Sequence, residues 1–220
     1  MKTVLCAENI CRSFGKQTVL KGVSLTIMEQ SLVILKGRSG SGKTTLLNIL
    51  GGLDMPSGGS VTFLGEELGK MSDTKRDALR KKRMGFVFQS VALVPVMSAY
   101  ENVEFALRLA GYTGNRRARI FELMERVGLA GRLNHMALEL SGGEQQRVAI
   151  ARAIAHHPAV LFADEPTGAL DTASGLAVME LFRELVEKEG ATIVMTTHDS
   201  NLMELADVTY EMADGGRLYD

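Results

Sequence analysis

Apolar and polar residues alternate through the first part of the chain at Val23, Leu25 and Ile27, and an unbroken apolar run, L-V-I-L at 32–35, then leads to a glycine. Alternation marks a strand buried on one face; an unbroken run marks one buried on both. The pattern therefore predicts an antiparallel portion followed by a core strand. Strand-like runs recur at 60–64, 84–88, 159–163 and 192–196. Helical periodicity falls between several of them, which is the arrangement of an α/β sheet.

Residues 98–157 carry a different pattern, with three helical stretches and no strand between them. The first opens on Ser98 with Glu101 three residues on, the second covers 115–127 and the third 144–156. Serine followed by glutamate at that spacing is a capping box, in which each side chain satisfies a free amide of the first turn. The stretch reads as a helical subdomain, 90–157, inserted into a single domain of 1–220 whose remaining parts are 1–89 and 158–220. Near the end, 210–213, Asp214-Gly215 and 216–219 predict a closing hairpin.

A chain of 220 residues is long enough for one domain with a full core. With 25 Lys and Arg against 26 Asp and Glu, it has no global bias toward nucleic acid or an anionic membrane. The one dense basic run, Arg80, Lys81, Lys82 and Arg83 with Lys75 and Arg76 upstream, reads as a solvated helix face, so no nucleic-acid partner is expected. No apolar run reaches the roughly 20 residues that cross a bilayer, and Glu8 interrupts the N-terminal stretch before a signal-like region develops. These features place the chain in the cytosol. Cys6 and Cys11 lack the partners of a zinc site and read as reduced structural thiols. His135, His156 and His157 have no metal-like spacing, and the 12 methionines are scattered as core filler.

The chemistry begins where the core run ends. Gly37, Arg38, Ser39, Gly40, Ser41, Gly42, Lys43, Thr44 and Thr45 form strand, glycine-rich loop and helix with the phosphate-loop spacing G-x-x-x-x-G-K-[ST]. Glycines let successive amides point at phosphate oxygens, Lys43 reaches the outer phosphates, and the Thr44 hydroxyl is a magnesium ligand. A second buried-type run, V-L-F-A-D-E at 160–165, delivers Asp164 and Glu165 at a strand end, where ligands bind in open α/β sheets. Asp164 suits the magnesium shell, and Glu165 suits orienting and deprotonating a water. A third element, L-S-G-G-E-Q-Q-R at 140–147, heads a helix. Capping explains Ser141 and Glu144; it does not explain Gly142 and Gly143, which leave the first-turn amides open to an anion.

The ordered set of the phosphate loop, Gln89, 140–147, 160–165, Ala169-Leu170-Asp171 and His198 resembles the nucleotide-binding domain of ABC ATPases over essentially the whole chain. The resemblance implies an α/β P-loop NTPase core with a mixed or parallel sheet, an N-terminal antiparallel β subdomain and an inserted α-helical subdomain bearing the signature 140–147. It further implies ATP and magnesium as cofactors, and a head-to-tail pair in which Ser141, Gly142, Gly143 and Glu144 meet the ATP held by the other copy. By the same resemblance Gln89 senses magnesium and the attacking water and faces a transmembrane permease, His198 contacts the γ-phosphate, and Asp171 lies at the dimer interface. Phe14 falls where the family has an adenine-stacking tyrosine. No N-K-x-D guanine-reading motif occurs, which favours ATP.

Gln30 and Ser31 replace the family's frequent Gly-Glu, and Arg38 replaces a usual proline; no phosphate-contacting position is altered. Within the family, L-L-N-I-L-G-G-L-D at 46–54, G-F-V-F-Q at 85–89, E-N-V at 101–103 and D-E-P-T-G-A-L-D at 164–171 look most like the macrolide-exporter and lipoprotein-release group. That resemblance implies a peripheral subunit on the cytoplasmic face of the membrane, working with a permease on peptide, macrolide, haem or lipoprotein-like cargo. The alternatives are the ATPase of a non-transporting cell-division or signalling complex and a small P-loop kinase, which would have no use for the signature helix.

Overall fold

The structure is a computed structural model and describes residues 2–168, 170–213 and 217–219. The alternating residues of the N-terminal part form β1 (Thr3–Phe14) and β2 (Gln17–Met28), an antiparallel hairpin. The unbroken run becomes β3 (Leu32–Lys36), and the phosphate loop leads from it into α1 (Lys43–Leu50). Next come β4 (Gly58–Phe63), the short β5 (Glu66–Glu67), α2 (Asp73–Arg83) and β6 (Met84–Val87). The helical stretch comprises α3 (Ala99–Leu109), α4 (Arg116–Arg126) and α5 (Gly142–Ile154). The chain then returns through β7 (Val160–Asp164), α6 (Thr172–Glu189), β8 (Thr192–Thr197), β9 (Val208–Ala213) and β10 (Arg217–Tyr219).

Two sheets result. One is antiparallel, in the order β2-β1-β4-β5; the other runs β10-β9-β3-β8-β7-β6 and is parallel except where β10 pairs with β9. The hairpin predicted at the end is present as β9 and β10, while its Asp214-Gly215 turn lies outside the described residues.

The central strands read as unbroken apolar runs because both faces are covered. Leu32, Ile34, Leu161, Ala163, Ile193 and Met195 join a core with α3, α4, α5 and α6. The intervening Val33, Leu35, Val160, Phe162 and Val194 join a second core with α1 and the antiparallel sheet. Burying one such side chain stabilises the fold by roughly 1.5–3 kcal/mol. The helical stretch therefore shares its core with the parallel sheet.

Helix boundaries follow their caps. Ser98 and Glu101 form the expected reciprocal box, with Glu101 Oε2 accepting from Ser98 N at 2.8 Å and Ser98 Oγ from Glu101 N at 3.2 Å. Removing the hydroxyl in Ser98→Ala should lower unfolding free energy by about 1 kcal/mol, read as a lower urea midpoint with an unchanged slope. The third helix starts two residues before the predicted 144 because Ser141 is its cap, and it ends before His157, whose φ of 54° and following Pro158 are incompatible with a helix.

Part of the basic run is paired within the fold, while Lys81, Lys82 and Arg83 are exposed. In α2, Arg76 donates to the Met71 carbonyl at 2.7 Å and pairs with Asp73, Arg80 reaches the Gly52 carbonyl and Asp77, and Lys75 pairs with Glu66. Arg80, Lys81, Lys82 and Arg83 also occupy the last turn, where cations favour the helix dipole.

Candidate active site

The phosphate loop joins β3 to α1 and borders a cleft of about 560 Å³ lined by Ser39, Gly40, Gly42, Lys43, Thr44, Thr45, Gln89, Glu165, His198 and Val19. The first glycine is required by space: at φ 153°, a Cβ on Gly37 would lie 2.5 Å from the Met212 carbonyl oxygen of β9. Gly40 and Gly42 adopt φ of 81° and 99°, conformations that side chains rarely tolerate. Lys43 donates to the Gly37 and Arg38 carbonyls at 2.7 and 3.0 Å, so its ammonium is held at the loop that an anion would enter.

Opposite the loop, β7 brings its two carboxylates to the C-terminal edge of the sheet. Asp164 is buried, and its Oδ1 accepts from Thr44 Oγ1 at 3.1 Å and from Thr196 Oγ1 at 2.7 Å. Glu165 follows with φ 44°, a left-handed conformation for a non-glycine residue, and its amide donates to Thr196 Oγ1 at 2.9 Å. Its Oε2 lies 3.5 Å from Gln89 Nε2 and 3.3 Å from His198 Nδ1. Gln89, predicted to sense the attacking water, and His198, predicted to contact the γ-phosphate, thus converge on one carboxylate oxygen of Glu165 beside the loop.

A hard divalent cation fits this donor set. Thr44 and Asp164 present hydroxyl and carboxylate oxygens to one another, Gln89 adds an amide, and the neighbouring Ser41 hydroxyl is buried with no hydrogen-bond partner. Oxygen donors of this kind suit magnesium.

The remaining predicted residues stand apart from the cleft lining. Phe14 is about half exposed at the end of β1, with the Arg12 guanidinium 4.5 Å from its ring centroid. Ser141 and Glu144 form the predicted capping box at the head of α5, with bonds of 2.9 and 3.3 Å. The Ser141 amide bond, helped by Arg132, holds the Glu144 carboxyl below the usual carboxylate range. A Cβ on Gly142 would meet nothing within 4 Å, and one on Gly143 would meet Leu170 Cδ2 at 3.3 Å. Asp171 caps α6, accepting from the Ser174 amide at 3.0 Å and its hydroxyl at 2.7 Å, bonds that hold its carboxyl below the usual carboxylate range. Ala169 lies outside the described residues.

The model of the family described as "ABC transporter" matches residues 20–168, more than half of the chain. The chain belongs to the ABC transporter family. The lipoprotein-releasing system ATP-binding protein LolD of Bacteroides thetaiotaomicron is 44% identical to this cassette over 94% of the chain and 96% of that protein. The macrolide export ATP-binding/permease protein MacB of Bartonella henselae is 45% identical over 99% of the chain, which spans 34% of that longer protein. Among solved structures, the dimeric post-hydrolysis state of an ATP-binding cassette bound to ADP and Pi superposes with a TM-score of 0.91 at 37% identity, covering 98% of this cassette and 97% of that one. This ABC cassette is the ATP-hydrolysing subunit of a transporter.

Two side chains in the cassette's site escaped the sequence reading. Thr196 bridges the Asp164 carboxylate and the Glu165 backbone amide, as described above. Gln146, inside the signature helix and buried, donates to the Pro166 carbonyl at 2.9 Å and so ties α5 to the turn after Glu165. The available signal was a polar residue at a position whose periodicity calls for an apolar one.

Proposed function

We propose that the chain pairs head-to-tail with a second copy around two ATP molecules and uses their hydrolysis to drive a membrane permease. The observation that carries this reading is the separation of the two anion-facing elements. The phosphate loop and carboxylates form one wall of a cleft, whereas the signature end of α5 lies outside that lining, and nothing among the described residues requires Gly142 to lack a side chain. An open helix N-terminus of this kind suits a phosphate brought by another molecule.

Within each site, Lys43 turns from the Gly37 and Arg38 carbonyls to the outer phosphates. Phe14 stacks on adenine. Thr44, Asp164 and Gln89 would hold magnesium, which would supply charge neutralisation to the phosphates. Glu165 accepts the proton of the attacking water, with Gln89 and His198 fixing its carboxylate and the outer phosphate position. Asp171, at the start of α6, links the paired sites. Residues 90–157 act as a helical subdomain presenting the signature, and 1–89 with 158–220 as the ATPase core and its β subdomain.

No helix among the described residues is long and apolar enough to cross a membrane. The names of the relatives support a peripheral place beside a permease and lipophilic cargo of the lipoprotein or macrolide type. The basic residues of α2 serve the fold, and no nucleic-acid role is assigned to them.

Shared sites make activity depend on encounter. At saturating ATP, turnover per chain should rise with protein concentration and fall away on dilution to monomer, as followed by phosphate release alongside light scattering. Constant turnover per chain in strictly monomeric samples would count against paired sites.

A further inference from the structure

Thr196 is fully buried near the end of β8, in a run whose neighbours Ile193, Val194 and Met195 belong to the two hydrophobic cores. A hydroxyl in such a place is costly unless it is hydrogen-bonded. Here its donor and its acceptor are both engaged within the site. Oγ1 donates to Asp164 Oδ1 at 2.7 Å and accepts from the Glu165 amide at 2.9 Å. Thr196 and Asp164 are register partners in the parallel pair β7 and β8, so the sheet itself sets this contact.

The second bond falls on a strained residue. Glu165 has φ 44°, and a non-glycine residue persists there only when its surroundings hold it. We propose that Thr196 is the positioning residue of the hydrolytic site: one hydroxyl fixes the Asp164 carboxylate and holds the Glu165 backbone in the conformation that aims its side chain at Gln89 and His198. The proposal rests on the reading of Glu165 as base and Asp164 as the magnesium-shell acid.

Loss of the hydroxyl leaves the part-buried Glu165 amide without this acceptor and leaves Asp164 with its Thr44 bond. The Glu165 backbone then relaxes and its carboxylate leaves the water-attacking position. ATP affinity depends on the phosphate-loop amides and Lys43, whose ammonium bonds to the Gly37 and Arg38 carbonyls and not to Thr196. The effect should therefore fall on kcat.

The test is steady-state ATP hydrolysis, with ATP-dependent pairing, in T196V, T196S, T196A and E165Q. T196V keeps the shape and removes the hydroxyl; misplacing a reacting group should lower kcat on the order of 10- to 100-fold. KM for ATP should change less than about threefold, the signature of an interaction made in the transition state. T196S, which keeps the hydroxyl, should recover turnover. Wild-type kcat in T196V, or a change confined to KM, overturns the proposal. If T196V does not fold, T196S and T196A decide, since both lose the methyl and only serine keeps the hydroxyl; equal turnover in the two overturns the proposal, and a clear advantage for serine supports it. E165Q separates the two failures. An inactive E165Q beside a fully active T196V removes the positioning role alone, whereas an active E165Q removes the underlying reading of Glu165.

Discussion

Glu165→Gln should reduce ATP turnover by on the order of 10² to 10⁴ while ATP-bound chains accumulate as a stable pair. The substitution preserves size and one oxygen that Gln89 Nε2 can still reach, and it removes the capacity to accept a proton. The backbone is equally unaffected, because the bond to Thr196 comes from the residue's amide and not from its side chain. Binding should survive for the same reason: Lys43, Thr44 and the loop amides do not depend on the glutamate charge. With the base gone, the step that would let the pair reopen is missing. Light scattering at saturating ATP and magnesium should report a dimer that persists far longer than in the unsubstituted chain. A variant that stays monomeric under those conditions would remove closure from the mechanism, and one that hydrolyses normally would remove Glu165 as the base.

The second large effect is a complementation. Lys43→Ala removes the cation of the phosphate loop, and Ser141→Arg places a bulky side chain at the open head of α5. Each chain alone should be inactive, since a lost stabilising donor in such a site costs on the order of 10² to 10³ in rate. The Ser141 change should leave the fold standing: a lost cap costs about 1 kcal/mol, and α5 remains packed through Val148, Ile150 and Ala151 in the core. Mixing the two chains creates one site with an intact loop from the first variant's partner and an intact signature from the other. ATP-dependent pairing should return in the mixture, measured by light scattering or crosslinking. No recovery would mean that the signature does not serve a neighbour's nucleotide.

Much of the site was legible because its parts are local. The phosphate loop is consecutive residues whose amides and ammonium act together, and its spacing survives as a string. The capping boxes at Ser98 and Ser141 are equally local, each spanning four residues. Thr196 was missed for the opposite reason: it lies 32 residues from Asp164 in sequence, and it becomes a partner only through the register of β7 and β8. Gln146 was masked by its place in the signature: helical periodicity marks its position as facing the core, but its partner, the Pro166 carbonyl 20 residues away, has no sequence mark.

The alternation of strands and helices, the capping boxes at Ser98 and Ser141 and the candidate phosphate-binding and acidic residues were legible in the sequence alone. Hydrophobic period and short-range hydrogen bonding act within a few residues, so a linear string records them. Only the tertiary structure decided that Gln89 and His198 meet on a single oxygen of Glu165, that one threonine hydroxyl joins the Asp164 carboxylate to the Glu165 amide, and that Gly142 at the head of α5 meets none of the described residues. Those contacts join strand ends that are distant in the chain, and they come into being when the sheet acquires its register and both its faces are covered.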